Sequence, residues 1–131
     1  MTRTHEDYTV GWICDLPLEL AAAREMLDEE HENLPAERND RNAYSLGRIG
    51  THNVVLACLP VGELGVASAA VAVTHMVSTS PCVKICLVVG VGGGVPDEDN
   101  DIRLGDVVVG DGGVIQYDMG KTVQGGRFIC T

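Results

Sequence analysis

Apolar positions along the chain change period several times, and each change marks an element. Tyr8–Cys14 (YTVGWIC) combines β-branched and aromatic residues and predicts a first strand. Asp15-Leu16-Pro17 then opens a helix. Proline suits the first helical position, and Glu19 falls in the early turn, where a carboxylate complements the dipole. Leu16, Leu20, Ala23 and Leu27 keep helical spacing. The charged stretch from Asp28 to Asn42 contains Pro35 and reads as a loop. Ala43–Ile49 and Asn53–Leu59 flank Gly50-Thr51-His52, the pattern of a hairpin with a short turn. Val66–Thr79 reads as a helix of mostly small residues that packs close to a sheet, ended by Pro81. Val83–Val89 (VKICLVV) is nearly continuous apolar sequence, which predicts a strand buried on both faces. It runs into Gly90-Val91-Gly92-Gly93-Gly94, and two more short strands are expected at Val107–Val109 and Val114–Tyr117.

Strand, helix, hairpin, helix, buried strand and Gly-rich loop describe an α/β fold. Its mixed central sheet is flanked by helices, with a ligand crevice at the carboxyl ends of the strands. No helix is expected after Tyr117 to cover the last two strands. The chain is therefore expected to be the N-terminal part of a single domain, with residues 1–7 a flexible lead and 8–117 the recognisable core. Uncovered strands at 107–109 and 114–117 would make the isolated chain aggregation-prone or dimeric.

Charge narrows the partners. Nine Lys+Arg against nineteen Asp+Glu give a net charge of −10, which repels a phosphate backbone over most of the surface. With only five aromatic residues and no basic stripe, nucleic-acid binding is not expected. Cys14, Cys58, Cys82, Cys86 and Cys130 lack C-x-x-C spacing, and most lie in apolar runs where a reduced thiol acts as a small hydrophobe. On one strand, Cys82 and Cys86 would stand about 13 Å apart, too far for a shared metal or a disulfide. His5, His31, His52 and His75 have no nearby ligand at metal spacing, so neither metal nor cofactor is expected. The segment Met1 to Tyr8 is polar, unlike a secretory signal, and the longest apolar run, Ile85–Val89, is too short for a bilayer. These features predict a cytoplasmic, reduced protein without a membrane partner.

Candidate chemistry is sparse, and each motif has a bland alternative. The glycines from Gly90 to Gly94 let a backbone approach a ligand and turn its amides inward, as phosphate- and nucleoside-binding turns require. A plain tight turn is an equal reading. Val95 breaks the G-x-G-x-x-G pattern, and no Gly-Lys-Ser/Thr follows to make a P-loop. Asp97-Glu98-Asp99-Asn100-Asp101 has the alternating acids of a calcium loop, but Ile102 and Val108 occupy the positions that require Gly and Glu, so a solvated loop fits better. Taken alone, Glu19 reads more readily as a helix-start carboxylate than as a general base. Gly62-x-x-Gly65 says little alone, because loops use glycine freely.

In order, the segments V-G-W-I-C-D-L-P-L-E-L, G-E-L-G-V-A-S-A-A, V-V-G-V-G-G-G-V and R-L-G-D-V-V-V resemble the nucleoside phosphorylase family. That family includes purine and uridine phosphorylases and the methylthioadenosine/S-adenosylhomocysteine nucleosidases. The resemblance spans about Val10 to Tyr117. It is nearest to a subgroup in filamentous fungi that often forms the N-terminal domain of proteins with NACHT, ankyrin or tetratricopeptide regions, and G-G-V-I-Q-Y-D-M-G-K-T-V-Q is typical of that subgroup. It implies cleavage of the N-glycosidic bond of a nucleoside or nucleotide by water or phosphate, a homo-oligomer, and fusion to further domains.

The resemblance also implies roles. It gives Glu19 the place of the glutamate that activates the attacking water. Gly90, Val91, Gly92, Gly93 and Gly94 match the turn behind ribose and base, Gly65 matches the glycine that opens the next helix near the nucleophile or phosphate, and Gly105-Asp106 match a structural pair. Val91 replaces the frequent Ser or Thr and offers no polar side chain, Asp15 stands where a small residue is usual, and no Gly-Asp-Pro-x-Arg phosphate loop follows the first strand. These departures favour water. The family's ribose-binding glutamate and its base-protonating aspartate lie in the second half of the domain, after the residues of this chain. A non-catalytic nucleoside sensor or interaction module is the alternative.

Overall fold

A computed structural model describes residues 2–63, 65–110, 113, 120–123 and 127–130. The chain divides into two compact units, Met1–Gly92 and Gly93–Thr131. The first is built on a five-stranded sheet: β1 (Val10–Cys14), β2 (Glu29–His31), β3 (Tyr44–Ile49), β4 (His52–Cys58) and β5 (Ile85–Val88), in the order β2-β3-β4-β1-β5. β1 runs parallel to β4 and β5, with Val10 opposite Val54 and Ile85, while β2, β3 and β4 form an antiparallel meander. The expected mixed α/β sheet is therefore present.

Two helices cover opposite faces, and the alternation within β4 assigns them. Val54 and Leu56 join Cys14 and Ala23 on the side of α1 (Pro17–Glu25), with Leu20, Leu27 and Trp12 packed around them. Val55 and Ala57 join Ile13, Ala72 and Met76 on the side of α2 (Val66–Thr79). Four consecutive β4 residues are thus buried, two toward each layer. The closeness expected of an Ala/Val-rich helix appears at Gly11, where a Cβ would stand 2.5 Å from the Met76 sulfur.

Several expectations need correction. The strand predicted at 83–89 forms as β5 but is not buried on both faces: Ile85, Leu87 and Val88 are exposed. It lies at the end of the strand order, with β1 its only partner among the described residues, so apolar composition does not bring burial. The stretch read as a loop from Asp28 to Asn42 contains β2, a polar three-residue strand paired to β3 through Glu29–Arg48 and His31–Leu46. Ahead of β1 a 3-10 turn forms at His5–Asp7, where Asp7 accepts the Thr4 amide at 2.7 Å. His5 Nε2 lies 2.6 Å from the Pro35 carbonyl, and Arg3 pairs with Glu29.

Gly47 shows how tightly β3 accepts α1's exit. A Cβ there would meet Leu27 Cδ1 at 2.5 Å and the Glu29 carbonyl oxygen at 2.7 Å. Leucine can yield but the backbone of a paired strand cannot, so Gly47→Ala is expected to cost about 2 kcal/mol of stability. Urea unfolding checks this, and a loss under about 0.5 kcal/mol, the ordinary scatter of surface changes, would contradict the packing.

In the second unit, a two-stranded antiparallel hairpin joins β6 (Gly120–Val123) to β7 (Arg127–Cys130). Val107–Val109, expected as a strand, pairs with no strand among the described residues and is exposed. Three apolar residues in a row carry no register of their own without a partner strand. The expected strand at 114–117 lies outside the described residues. Gly105, at φ +89°, lets the chain turn so that the Asp106 amide donates to the Arg103 carbonyl and Asp106 Oδ2 accepts the Arg103 amide.

Candidate active site

β1 and β5 run parallel, so their carboxyl ends and the turns after them lie on one edge of the sheet. At that edge the turn Asp15-Leu16-Pro17 leads into α1, with Pro17 at its first position and Glu19 in its first turn. Glu19 reaches back to the turn: Oε2 accepts the amides of Asp15 and Leu16, both at 3.0 Å. Leu16 has no polar side chain to complete a reciprocal cap, so the glutamate alone satisfies the amides of this turn. Oε1 accepts the amide of Val91 at 2.9 Å from the Gly-rich turn after β5.

The sequence-selected residues thus divide. Glu19, Gly90 and Val91 come together: a Cβ at Gly90 would lie 2.8 Å from Glu19 Oε1 and 3.2 Å from its carboxyl carbon. Gly92 ends the first unit, with nothing within 4 Å of where a Cβ would be. Gly93 and Gly94 belong to the second unit, where a Cβ on Gly94 would meet Ile102 at 2.7 Å. Gly65 is the N-cap of α2 at φ +112°, a backbone conformation that favours glycine, with open space around it.

The electrostatics follow from these bonds. The Val91 amide lowers the Glu19 carboxyl most; desolvation opposes it, and the Leu16 and Asp15 amides add enough to leave it below its ordinary range, with no cation among the causes. At neutral pH Glu19 is an anion. A carboxylate has roughly four acceptor positions, and three are occupied, two on Oε2 and one on Oε1. The one left open among the described residues, on Oε1, is where a water or a sugar hydroxyl can donate. Cys14 and Cys58 sit in register at the ends of β1 and β4 near this carboxylate. Burial is the main cause that raises both thiols, Cys14 to about 11, so neither is a thiolate nucleophile at neutral pH.

Two features had no signal strong enough to find by pattern. One is a buried polar cluster that fastens the stretch before β3 to α2. The Asp40 side chain is 1 % exposed. Its Oδ2 accepts the Tyr44 and Thr79 hydroxyls, both at 2.5 Å, and Oδ1 accepts the Asn42 amide at 2.8 Å. Asn42 Nδ2 donates to the Ala72 carbonyl. The other is a cleft of about 760 Å³ beside the start of α2, lined by Arg38, Arg41, Asn42, Glu63, Val71 and His75. Neither this cleft nor a smaller one of about 200 Å³ near His5 and Tyr44 includes Glu19 or Gly90.

No group of three or more His, Cys, Asp or Glu among the described residues could hold a metal ion. In the acidic loop, Asp97 Oδ1 is taken up by the Asp99 and Asn100 amides, which leaves the loop a hydrogen-bonded turn. No described helix is long and apolar enough to cross a membrane.

Comparison with known proteins places this geometry in context. The family model described as Phosphorylase superfamily matches residues 9–129. A nucleotide-binding leucine-rich repeat (NLR)-like protein of Hyaloscypha variabilis is 52% identical over 127 residues, 92% of this chain and 13% of that protein. A 5′-methylthioadenosine/S-adenosylhomocysteine nucleosidase of Mycobacterium bovis is 32% identical over 112 residues, 86% of this chain and 39% of that enzyme. A nucleosidase of the same name from Mycobacterium tuberculosis matches to the same extent. The chain therefore spans well under half the length of each of these relatives. No solved structure matches it.

Proposed function

The chain belongs to the phosphorylase superfamily, and from that premise we propose that it carries the nucleophile-activating part of a site that cleaves the N-glycosidic bond of a nucleoside or nucleotide. Membership supports nucleoside metabolism at a coarse level. The finer reading rests on one observation: an ionised Glu19, fixed by three amides beside the Gly-rich turn, with one acceptor position on Oε1 left open among the described residues.

In this reading a water donates to Oε1. As the bond from C1′ to the base nitrogen breaks, its electron pair leaves with the base and the sugar gains oxocarbenium character. The water oxygen attacks C1′ and its proton passes to Glu19. Gly90, Val91 and Gly92 back the sugar and base, and Gly65 opens α2 near the nucleophile. Protonation of the departing base belongs to residues other than those described. Water is favoured over phosphate, because a dianion would meet ionised Glu19 and neighbouring Asp15 with no cation acting on the glutamate.

The test is product analysis with the whole protein, a panel of nucleosides and nucleotides, and buffers with and without phosphate. Free base and free sugar without phosphate are expected. No base from any substrate would end the enzymatic reading, and a sugar 1-phosphate formed only with phosphate would reassign the nucleophile.

A second reading, a non-catalytic nucleoside sensor or interaction module, draws on the NLR-like relative and on Val91, which brings no polar side chain. Calorimetric binding of nucleosides without turnover is its signature. In either case we place the domain in a larger, cytoplasmic protein, which the NLR-like relative and the free thiols of Cys14, Cys58, Cys82 and Cys86 support, with self-association open to sizing measurements.

A further inference from the structure

We propose that the Gly90–Val91 peptide is the positioning element of Glu19: a main-chain amide, admitted by a residue without a side chain, orients the carboxylate and keeps it in its accepting form. The proposal rests on the reading of Glu19 as the base. Two of the three amides on Glu19 come from its own turn and move with it. The third comes from Val91, 72 residues away, and is the one that fixes the carboxylate relative to the Gly-rich turn. The peptide is itself anchored, since the Val89 amide donates to the Ile13 carbonyl at 2.9 Å and extends the β1–β5 ladder to the turn. A Cβ on residue 90 would lie 2.8 Å from Oε1, so a side chain there would have to push the carboxylate off this position. The Val91 side chain is 80% exposed and adds nothing, so the turn acts through its backbone.

Among the described residues, few titratable groups face Glu19. Asp15 comes from the same turn, Cys14 from the end of β1 and Cys58 from the end of β4, and the Gly90–Val91 side contributes none. Both thiols are raised and neutral near pH 7.

The amide proton of Val91 reports the contact in the ¹⁵N-labelled chain. Its shift is expected to titrate with a midpoint below the ordinary glutamate value of about 4.3, and Glu19→Gln is expected to abolish that titration. Val91→Pro removes the N–H. In the whole protein it is expected to move the acid limb of base release to higher pH and lower kcat roughly tenfold, the worth of one hydrogen bond to a charged group, with KM within about twofold. In the Glu19→Gln background, Val91→Pro is expected to have little further effect on kcat, which a merely structural role would not produce. A Val91 amide that ignores Glu19, or equal losses in both backgrounds, would overturn the proposal. Where Val91→Pro fails to fold, the amide titration with Glu19→Gln decides alone. An amide that tracks Glu19 without any base release would instead overturn the catalytic reading and leave the positioning intact.

Discussion

Glu19→Gln in the whole protein is expected to lower kcat for base release by roughly 10²–10⁴-fold, the usual worth of a positioned general base, with little change in KM. Glutamine keeps the size of the side chain and one carbonyl oxygen, which can accept either from Val91 or from Asp15 and Leu16, while the proton acceptor is lost. The split between kcat and KM is informative. An equal fall in kcat and kcat/KM marks an interaction made in the transition state, whereas a rise in KM alone would make Glu19 a substrate-binding group. Activity within about twofold of the parent would remove Glu19 from the chemistry.

The second large effect is on stability. Asp40→Ala is expected to destabilise the first unit by about 3 kcal/mol, because it strands the Tyr44 and Thr79 hydroxyls and the Asn42 amide in a buried setting. Burial pushes the Asp40 carboxyl up, but hydrogen bonds from Thr79, Tyr44 and Asn42, with His75 3.8 Å away, outweigh it and leave the value lowered. A lowered folded value makes the anion's contribution complete above the ordinary aspartate range. That contribution is lost as pH falls through the folded value. The gap between parent and variant in urea unfolding should therefore be full at pH 7 and narrow on acidification below the ordinary aspartate range. A gap that stays constant down to pH 2 would show that the charge does not matter to this cluster.

Legibility in the sequence follows the range of the interactions involved. Local period was enough for β1, for both helices and for the β3–β4 hairpin, because these elements are written in spacings of two to four residues. Burial was not. VVLA in β4 and ICLV in β5 are equally apolar, and only the strand order makes one central and the other terminal. β2 was hidden because Glu29-Glu30-His31 has neither alternation nor β-branched residues, and its pairing with β3 alone makes it a strand.

The site shows the same division. Glu19 was found through its place in an ordered set of motifs, and Gly90 through the run of glycines. Their contact could not be read, because it joins positions 72 apart through a main-chain amide that every non-proline residue carries. Judged by its side chain, Val91 looked like a loss of function, yet its backbone makes the bond. Asp40 was concealed by its neighbours. In a stretch as charged as Asp28 to Asn42 a solvated loop is the natural reading, and nothing in composition singles out the one carboxylate that turns inward.

β1 lies between two parallel partners that both come later in the chain, β4 at residues 52–58 and β5 at 85–88. A chain growing from its N-terminus therefore produces this interior strand first and must hold it unpaired. The β3–β4 hairpin, whose partners are adjacent in sequence, can close before β1 has anywhere to dock. Only when β5 follows does the Gly-rich turn reach Glu19. The candidate site is thus the last feature of this sheet to assemble, and until β4 and α2 have been made Ile13 is in want of cover, a natural point for a chaperone to engage.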